Sequence, residues 1–299
     1  MARSESWRVL LAIAINTPGW TVMQWDVKAA YLQADLDLKH QIYVKDLTES
    51  GETEYWKLHK ALYSLKQAGH QWYNRMRSIM IQTGYTQCVG DPRCFQSTNI
   101  IISTHVDDMA GYGTPAALST FEKAVEQEVE LEKLGKPTKL LGMELTWTEE
   151  NKAVKLTQKD SIGRIMKEHS IMKIPNRTIP LNLEGYEPPT GREILTKEET
   201  TKYQSLVGSL LYINRMTRPD IFLHVNMLGR RTSNPGTNNL QAAKQIGAYL
   251  ASSAKKMSRC NAPPSVVTCF CAMYPICLLN ADLRPTCTLR HLVISCVLN

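Results

Sequence analysis

The sequence predicts an α/β or α+β fold, because short runs of strand length are interleaved with longer runs of helical period. From residue 157 onward the helical runs dominate, which sets a strand-rich first half against a helical second half. At 299 residues the chain has room for one large domain or two smaller ones. Its 43% hydrophobic and 21% charged residues are those of an ordinary globular protein.

The elements follow in order. Trp7, Leu10, Leu11, Ala14 and Ile15 recur at helical spacing. That periodicity explains the apolar run 9–15 better than the signal-peptide core it resembles beside Arg3 and Arg8. Residues 21–25 read as a strand ending at Asp26, and 41–44 as a second. The Pro-free stretch 61–83 ends at Gly84 and predicts a helix. Residues 100–105 and 109–112 read as two strands around the turn Val106-Asp107-Asp108. Pro115 opens an amphipathic helix expected to reach residue 134, with Leu118, Phe121, Val125, Val129 and Leu131 inward. Residues 139–147 and 152–156 read as strands, and 157–169 as a helix. Four prolines and two glycines make 174–191 a loop or linker. Three helices are expected at 197–216, 219–231 and 236–250, after which the periodicity stops. The expected divisions are 1–150, a helical 151–250, and a tail 251–299 outside the fold.

Charge and cysteine are both lopsided. Of the net +7, the segment after Leu250 supplies +4, from five basic residues and the single acid Asp282. The body is weakly basic, which allows nucleic-acid binding without arguing for it. Cys88 and Cys94 lie in the body, and the other six cysteines crowd the tail without the paired spacing of a zinc site. No apolar stretch approaches the ~20 residues that span a bilayer, so no membrane partner is expected. P-loop, Ser-His-Asp and H-E-x-x-H patterns are missing.

Asp107 and Asp108 carry the chemistry. Two carboxylates at a hairpin tip repel one another unless divalent cations neutralise them, and Mg²⁺ favours such hard oxygen ligands. A solvent-facing Asp-Asp turn is the plain alternative. Asp26 closes an apolar strand and reads either as a third carboxylate or as a helix N-cap. Together the three could assemble a two-metal phosphoryl-transfer site with ions about 4 Å apart.

Six segments then carry a family resemblance across residues 7–250. Gln24-Trp25-Asp26-Val27-Lys28-Ala29-Ala30-Tyr31-Leu32 resembles the first polymerase motif of Ty1/copia-type retrotransposon reverse transcriptases. Ala61-Leu62-Tyr63-Ser64-Leu65-Lys66-Gln67-Ala68 and the following Trp72-Tyr73 resemble their L-Y-G-L-K-Q-A signature. Thr104-His105-Val106-Asp107-Asp108-Met109 is similar to the Y-V-D-D hairpin, with His105 in the tyrosine's place. Leu140-Leu141-Gly142-Met143-Glu144-Leu145 resembles the F-L-G-x-E-I segment. The stretch 203–212 and Thr217-Arg218-Pro219-Asp220-Ile221 complete the series.

The resemblance implies an α+β polymerase palm, an antiparallel sheet with packed helices, in 1–150. A thumb- or connection-like helical region would occupy 151–250, with the fingers incomplete. It implies RNA-directed DNA polymerase activity by two Mg²⁺ ions, with Mn²⁺ as a substitute. Asp26, Asp107 and Asp108 would be catalytic, and Val27 would join them in the metal site through its backbone. Tyr31 would be the steric gate against ribose, while Gln67 and Lys66 would contact the nucleotide. Gly142 and Met143 would form the primer grip. Implied partners are an RNA or DNA template-primer and dNTPs, within a Gag-Pol polyprotein and a cytoplasmic particle, with the nucleus as the other compartment. The short segment before Trp7 and the unfamiliar sequence after Leu250, where an RNase H domain would follow, also imply, as the alternative, a truncated, inactive retroelement remnant that at most binds nucleic acid. Arg218 would pair with an acid or simply open a helix at Pro219.

Overall fold

The structure, a computed structural model, describes residues 3–36, 41–47, 53–148, 153–172, 194–253 and 258–261. The expected loop at 174–191 and most of the tail lie outside them. Two compact units divide between Pro137 and Thr138, earlier than the residue 150 expected from sequence.

The first unit opens with α1 (Ser4–Asn16), followed by β1 (Thr21–Val27) and a 3-10 turn, Ala30–Gln33. The hairpin β2 (Tyr43–Leu47) and β3 (Thr53–Lys57) precedes α2 (Ala68–Gln82). Then come β4 (Thr86–Gln87), β5 (Cys94–Ser97), β6 (Ile100–His105), β7 (Asp108–Gly113), α3 (Pro115–Glu126) and β8 (Leu131–Gly135). Apart from β2 and β3, these strands form one antiparallel sheet in the order β4-β5-β6-β7-β1-β8. Its core joins Trp25, Met109 and Phe95 from the strands with Trp72, Met76 and Phe121 from α2 and α3. Trp25 packs its ring 5.1 Å from Phe121 and donates its Nε1–H to Glu122 at 2.7 Å. Buried Asp91 ties α1 to this sheet, accepting from the Arg3 backbone N–H, the Ser6 hydroxyl and the Arg93 backbone N–H.

Two expectations are corrected in this unit. Residues 61–67 are not helical: Ser64 has φ +76°, and the Ala61 N–H donates to the Ala34 carbonyl instead of an intrahelical acceptor. The helix after Pro115 stops at Glu126, and Leu131–Gly135 extends along the free edge of β1. Val129 and Leu131 still reach the core, which is why their spacing mimicked a continuing helix.

The second unit contains β9 (Lys139–Leu140), β10 (Met143–Trp147), β11 (Ala153–Thr157) and α4 (Lys159–Glu168). The helices α5 (Lys197–Met216), α6 (Phe222–Gly229) and α7 (Thr237–Ser252) follow, with a 3-10 turn at Pro219–Ile221 before α6. Last comes β12 (Ser258–Asn261), which pairs with β11 in the sheet order β12-β11-β10-β9. Part of the segment expected to lie outside the fold thus extends this sheet. Residues 139–147, expected as one strand, form a tight hairpin. Leu140 pairs with Met143, and Leu141 and Gly142 between them both have positive φ, as a type I′ turn demands. Thr196 and Glu199 cap α5 reciprocally. Arg218 is buried and grips Asp220 with two bonds of 2.9 and 2.7 Å, while the Tyr249 hydroxyl donates to the same carboxylate.

Candidate functional site

The site forms where β1 and β7 meet at the end of the β6–β7 hairpin. Both are interior strands of the sheet, so their positions are fixed from two sides. Asp26 lies directly opposite Asp108 in the β1–β7 register, which puts the two carboxylates on one face. Asp107 occupies the turn itself. Its carbonyl accepts from the Val27 N–H at 2.9 Å, so the strand carrying one carboxylate holds the turn carrying another. Val106 adopts φ +61°, an unfavourable conformation for a β-branched residue that costs on the order of 1–3 kcal/mol. Surrounding contacts hold it there: the Trp72 indole N–H donates to the Val106 carbonyl at 2.6 Å.

The electrostatics follow from this crowding. Burial first, then the charges of Asp107, Asp108 and Glu132, push the Asp26 carboxyl above its ordinary value of 3.8. Burial and then the Asp107 charge push Asp108 up too, against the opposing pull of the Gln24 amide, which donates to its Oδ1 at 3.2 Å. His105 also lies opposite Asp108 across the hairpin and packs edge-on near Trp7, with ring centroids 6.5 Å apart. A histidine is therefore accommodated at this position by an aromatic neighbour.

Glu132 was not among the sequence candidates. It sits on β8 opposite Asp26, so Asp108, Asp26 and Glu132 form a row of carboxylates across three strands. Reading residues 115–134 as one helix hid this. A charge run alternating with Leu131 and Lys133 along an edge strand is the signal that could have shown it.

Tyr31 lies just beyond Val27 on the 3-10 turn, and its ring packs against that of Tyr63, with centroids 4.7 Å apart and planes tilted by 53°. Burial, followed by the Asp107 charge, raises the Tyr63 hydroxyl, so this aromatic pair borders the carboxylates. A Cβ at Gly69 would come within 3.7 Å of the Tyr31 hydroxyl, so the first turn of α2 backs the ring. Gln67 stands at the N-cap of α2, half-buried, with its carbonyl accepting from the His70 and Gln71 N–H groups. Lys66 is exposed on the preceding turn. Lys28 is held by Glu130 at 2.7 Å. Trp72 is buried and also serves the turn. Tyr73 lies under the Arg93 guanidinium at 3.7 Å.

Gly142 and Met143 belong to the second unit and are described with it. At Gly142 a Cβ would strike the Tyr212 hydroxyl, which itself donates to the Leu141 carbonyl at 2.6 Å. The positive φ and this close approach both require glycine. The Met143 side chain is fully buried.

Hard oxygen donors in mutual repulsion are the chemistry that a divalent cation relieves, and Asp26, Asp107 and Asp108 supply them. Among the described residues, no set of three or more His, Cys, Asp and Glu side chains already stands gathered around a metal position.

The first unit thus presents a strand-paired carboxylate set beside an aromatic pair. Sequence comparison identifies the family: the chain belongs to the reverse transcriptase (RNA-dependent DNA polymerase) family, whose profile matches residues 1–183. It is 30% identical over 264 residues to the Retrovirus-related Pol polyprotein from transposon TNT 1-94 of Nicotiana tabacum, covering 84% of this chain and 20% of that one. It is 28% identical over 235 residues to a transposon Ty5-1 protein of Saccharomyces cerevisiae, covering 75% and 74% of the two chains. A Ty1-DR4 Gag-Pol polyprotein of the same yeast matches at 25% over 266 residues, 80% of this chain and 16% of that one. The chain thus spans about a fifth or less of the polyprotein relatives. A Candida albicans telomerase structure aligns over 83% of this chain and 49% of that one, at 9% identity and a TM-score of 0.28, too slight to carry an argument.

Proposed function

We propose that this chain extends a primer 3′-OH with deoxynucleotides on an RNA or DNA template, as the catalytic part of a retrotransposon polyprotein. The observation that carries the reading is the register that sets Asp26 against Asp108, with Asp107 in a turn bonded to Val27. In this reading the first unit acts as the palm and the helices of the second as a thumb- or connection-like region.

Asp26 and Asp107 would hold two Mg²⁺ ions, or Mn²⁺ in their place, with Asp108 as a third carboxylate and the Val27 backbone alongside. Bound there, the ions would supply charge neutralisation at the attacking and leaving oxygens of an in-line displacement. The chain's own residues do the positioning. Trp72 and Val27 fix the turn that carries Asp107, and Gln24 orients Asp108. Tyr31, held between Tyr63 and the first turn of α2, would close the space that a ribose 2′-OH needs. Gln67 and Lys66 would meet the incoming dNTP. At the primer grip, Gly142 would allow close approach of a primer backbone, and Met143 would contribute its main chain, its side chain being buried. The proposed setting is a Gag-Pol product acting in a cytoplasmic particle, with the nucleus as a second compartment.

A primer-extension assay on poly(rA)/oligo(dT) with Mg²⁺ tests this. Incorporation lost in Asp107→Asn supports the site. Activity surviving the loss of both Asp26 and Asp107 sinks it.

A further inference from the structure

The β2–β3 hairpin carries a surface that the carboxylate site does not use. Residues paired across an antiparallel ladder share a face. One face begins with Ile42 and Leu58, which pack against the core of the first unit. It continues outward with Val44 opposite Trp56 and Asp46 opposite Glu54. The other face sets Tyr43 opposite Lys57 and Lys45 opposite Tyr55, a diagonal alternation of two rings and two cations. Tyr43 is 53% and Tyr55 69% exposed, and both lysines are exposed as well. Among the described residues, neither lysine is paired with an acid.

This surface is joined to the site by its base. The Leu36 N–H donates to the His59 carbonyl and the Ala61 N–H to the Ala34 carbonyl, with Asp35 and Lys60 bridged between them. The hairpin therefore leaves the chain just after Tyr31 and returns to it just before Tyr63, and those two rings pack against each other.

We propose that the Tyr43–Lys45–Tyr55–Lys57 face binds single-stranded nucleic acid, the unpaired template beside the site; the template assignment rests on the polymerase reading above. Tyrosine faces stack bases without regard to sequence, and interleaved lysines neutralise the phosphates between them. Diagonal neighbours on a two-stranded ladder lie about 7–8 Å apart, within reach of large aromatic rings. Charge selects the side. The opposite face carries the acids Asp46 and Glu54 and, among its described residues, no lysine or arginine, so the lysine-bearing face is the one that complements a polyanion.

The test uses the full chain and fluorescence anisotropy with a labelled 20-nucleotide oligo(U). A blunt duplex and the same duplex with a single-stranded 5′ template overhang are measured in parallel. Each of Tyr43→Ala and Tyr55→Ala is expected to weaken oligo(U) binding about tenfold. Lys45→Gln with Lys57→Gln is expected to flatten the slope of log K against log salt by about 1.4. The overhang is expected to tighten binding in the wild type and not in the tyrosine variants, while affinity for the blunt duplex stays unchanged. Thermal melts confirm that variants of these outward residues remain folded, and the lysine pair supplies an independent arm. Primer extension on the same preparations separates the two readings. Hairpin-dependent oligo(U) binding in a wild type that extends no primer upholds the surface while the polymerase reading falls. A wild type that extends primers, with oligo(U) affinity and salt slope unmoved by all four substitutions, overturns the surface. A tyrosine variant that changes the oligomeric state without changing oligo(U) affinity also overturns it, in favour of contact between copies of this chain.

Discussion

Replacing Trp72 by phenylalanine separates the packing of the first unit's sheet from the posture of the turn that carries Asp107. Trp72 is 2% exposed, and its indole N–H is the donor to the Val106 carbonyl at 2.6 Å. Phenylalanine keeps most of the apolar ring and deletes the donor. A buried acceptor deprived of its partner costs about 1–3 kcal/mol, and half-buried Val106 places this case toward the lower end. The missing ring atoms leave a small void that adds on the order of 1 kcal/mol. The sum, about 2–3 kcal/mol, lowers the melting temperature by roughly 4–10 °C for a unit of this size. Activity should suffer more than stability. Val106 is held at φ +61° by its surroundings, and freeing its carbonyl lets the turn relax and carry Asp107 with it. A displacement of about 1 Å at a catalytic group costs about 10²-fold. The assay is primer extension at a temperature where the variant is folded, with kcat expected to fall and KM for dNTP to change little. Trp25→Phe is the control, since it loses a comparable bond to Glu122, away from the turn. A Trp72→Phe chain that melts early but keeps its full kcat would refute the idea that this bond positions Asp107.

Three further outcomes follow from the same geometry. The folded-state carboxyls of Asp26 and Asp108 lie above the ordinary 3.8, so the folded chain binds more protons than the unfolded one just above that pH. Their contribution to stability is therefore greatest near and below pH 3.8 and declines as pH rises through the folded values. Asp26→Asn should raise the urea midpoint at neutral pH and flatten this decline, and Mg²⁺ should stabilise the wild type more than the variant; parallel pH profiles would contradict this. Gly111→Ala would press a Cβ to 2.6 Å from Leu118 and 2.7 Å from Trp25, and overpacking of this kind costs about 1–3 kcal/mol by denaturant titration. Gly142→Ala and Tyr212→Phe should couple, because removing the Tyr212 hydroxyl frees the space that the new Cβ needs. The double variant should lose less stability than the sum of the singles, and strict additivity would argue against the contact.

Much of the site was legible because its signals are local. Asp107 and Asp108 stand between two apolar runs of strand length, and such a pattern permits little except a hairpin. Asp26 closes a third run, and the ordered neighbouring motifs identified it as a partner. What failed were segments whose local signal was ambiguous. Val129 and Leu131 continue the spacing of α3, yet the free edge of β1 offered hydrogen bonds that an extended chain could satisfy. Residues 61–67 lack helix breakers, yet Ala61 bonds to Ala34 and leaves the helical path. The β9–β10 hairpin turned on Leu141 accepting a positive φ, which nothing in a leucine announces.

The sequence by itself determined the mixed fold, the helical second half and the family, and marked the carboxylates as candidates, because composition, periodicity and motif order are properties of the chain. Tertiary structure decided which of those carboxylates oppose one another. Register is a relation between strands distant in sequence, and a shift of one residue would turn Asp26 to the other face. The same relation brought Glu132 opposite Asp26, made Trp72 a brace for the turn, and left the rings and lysines of the β2–β3 hairpin facing outward.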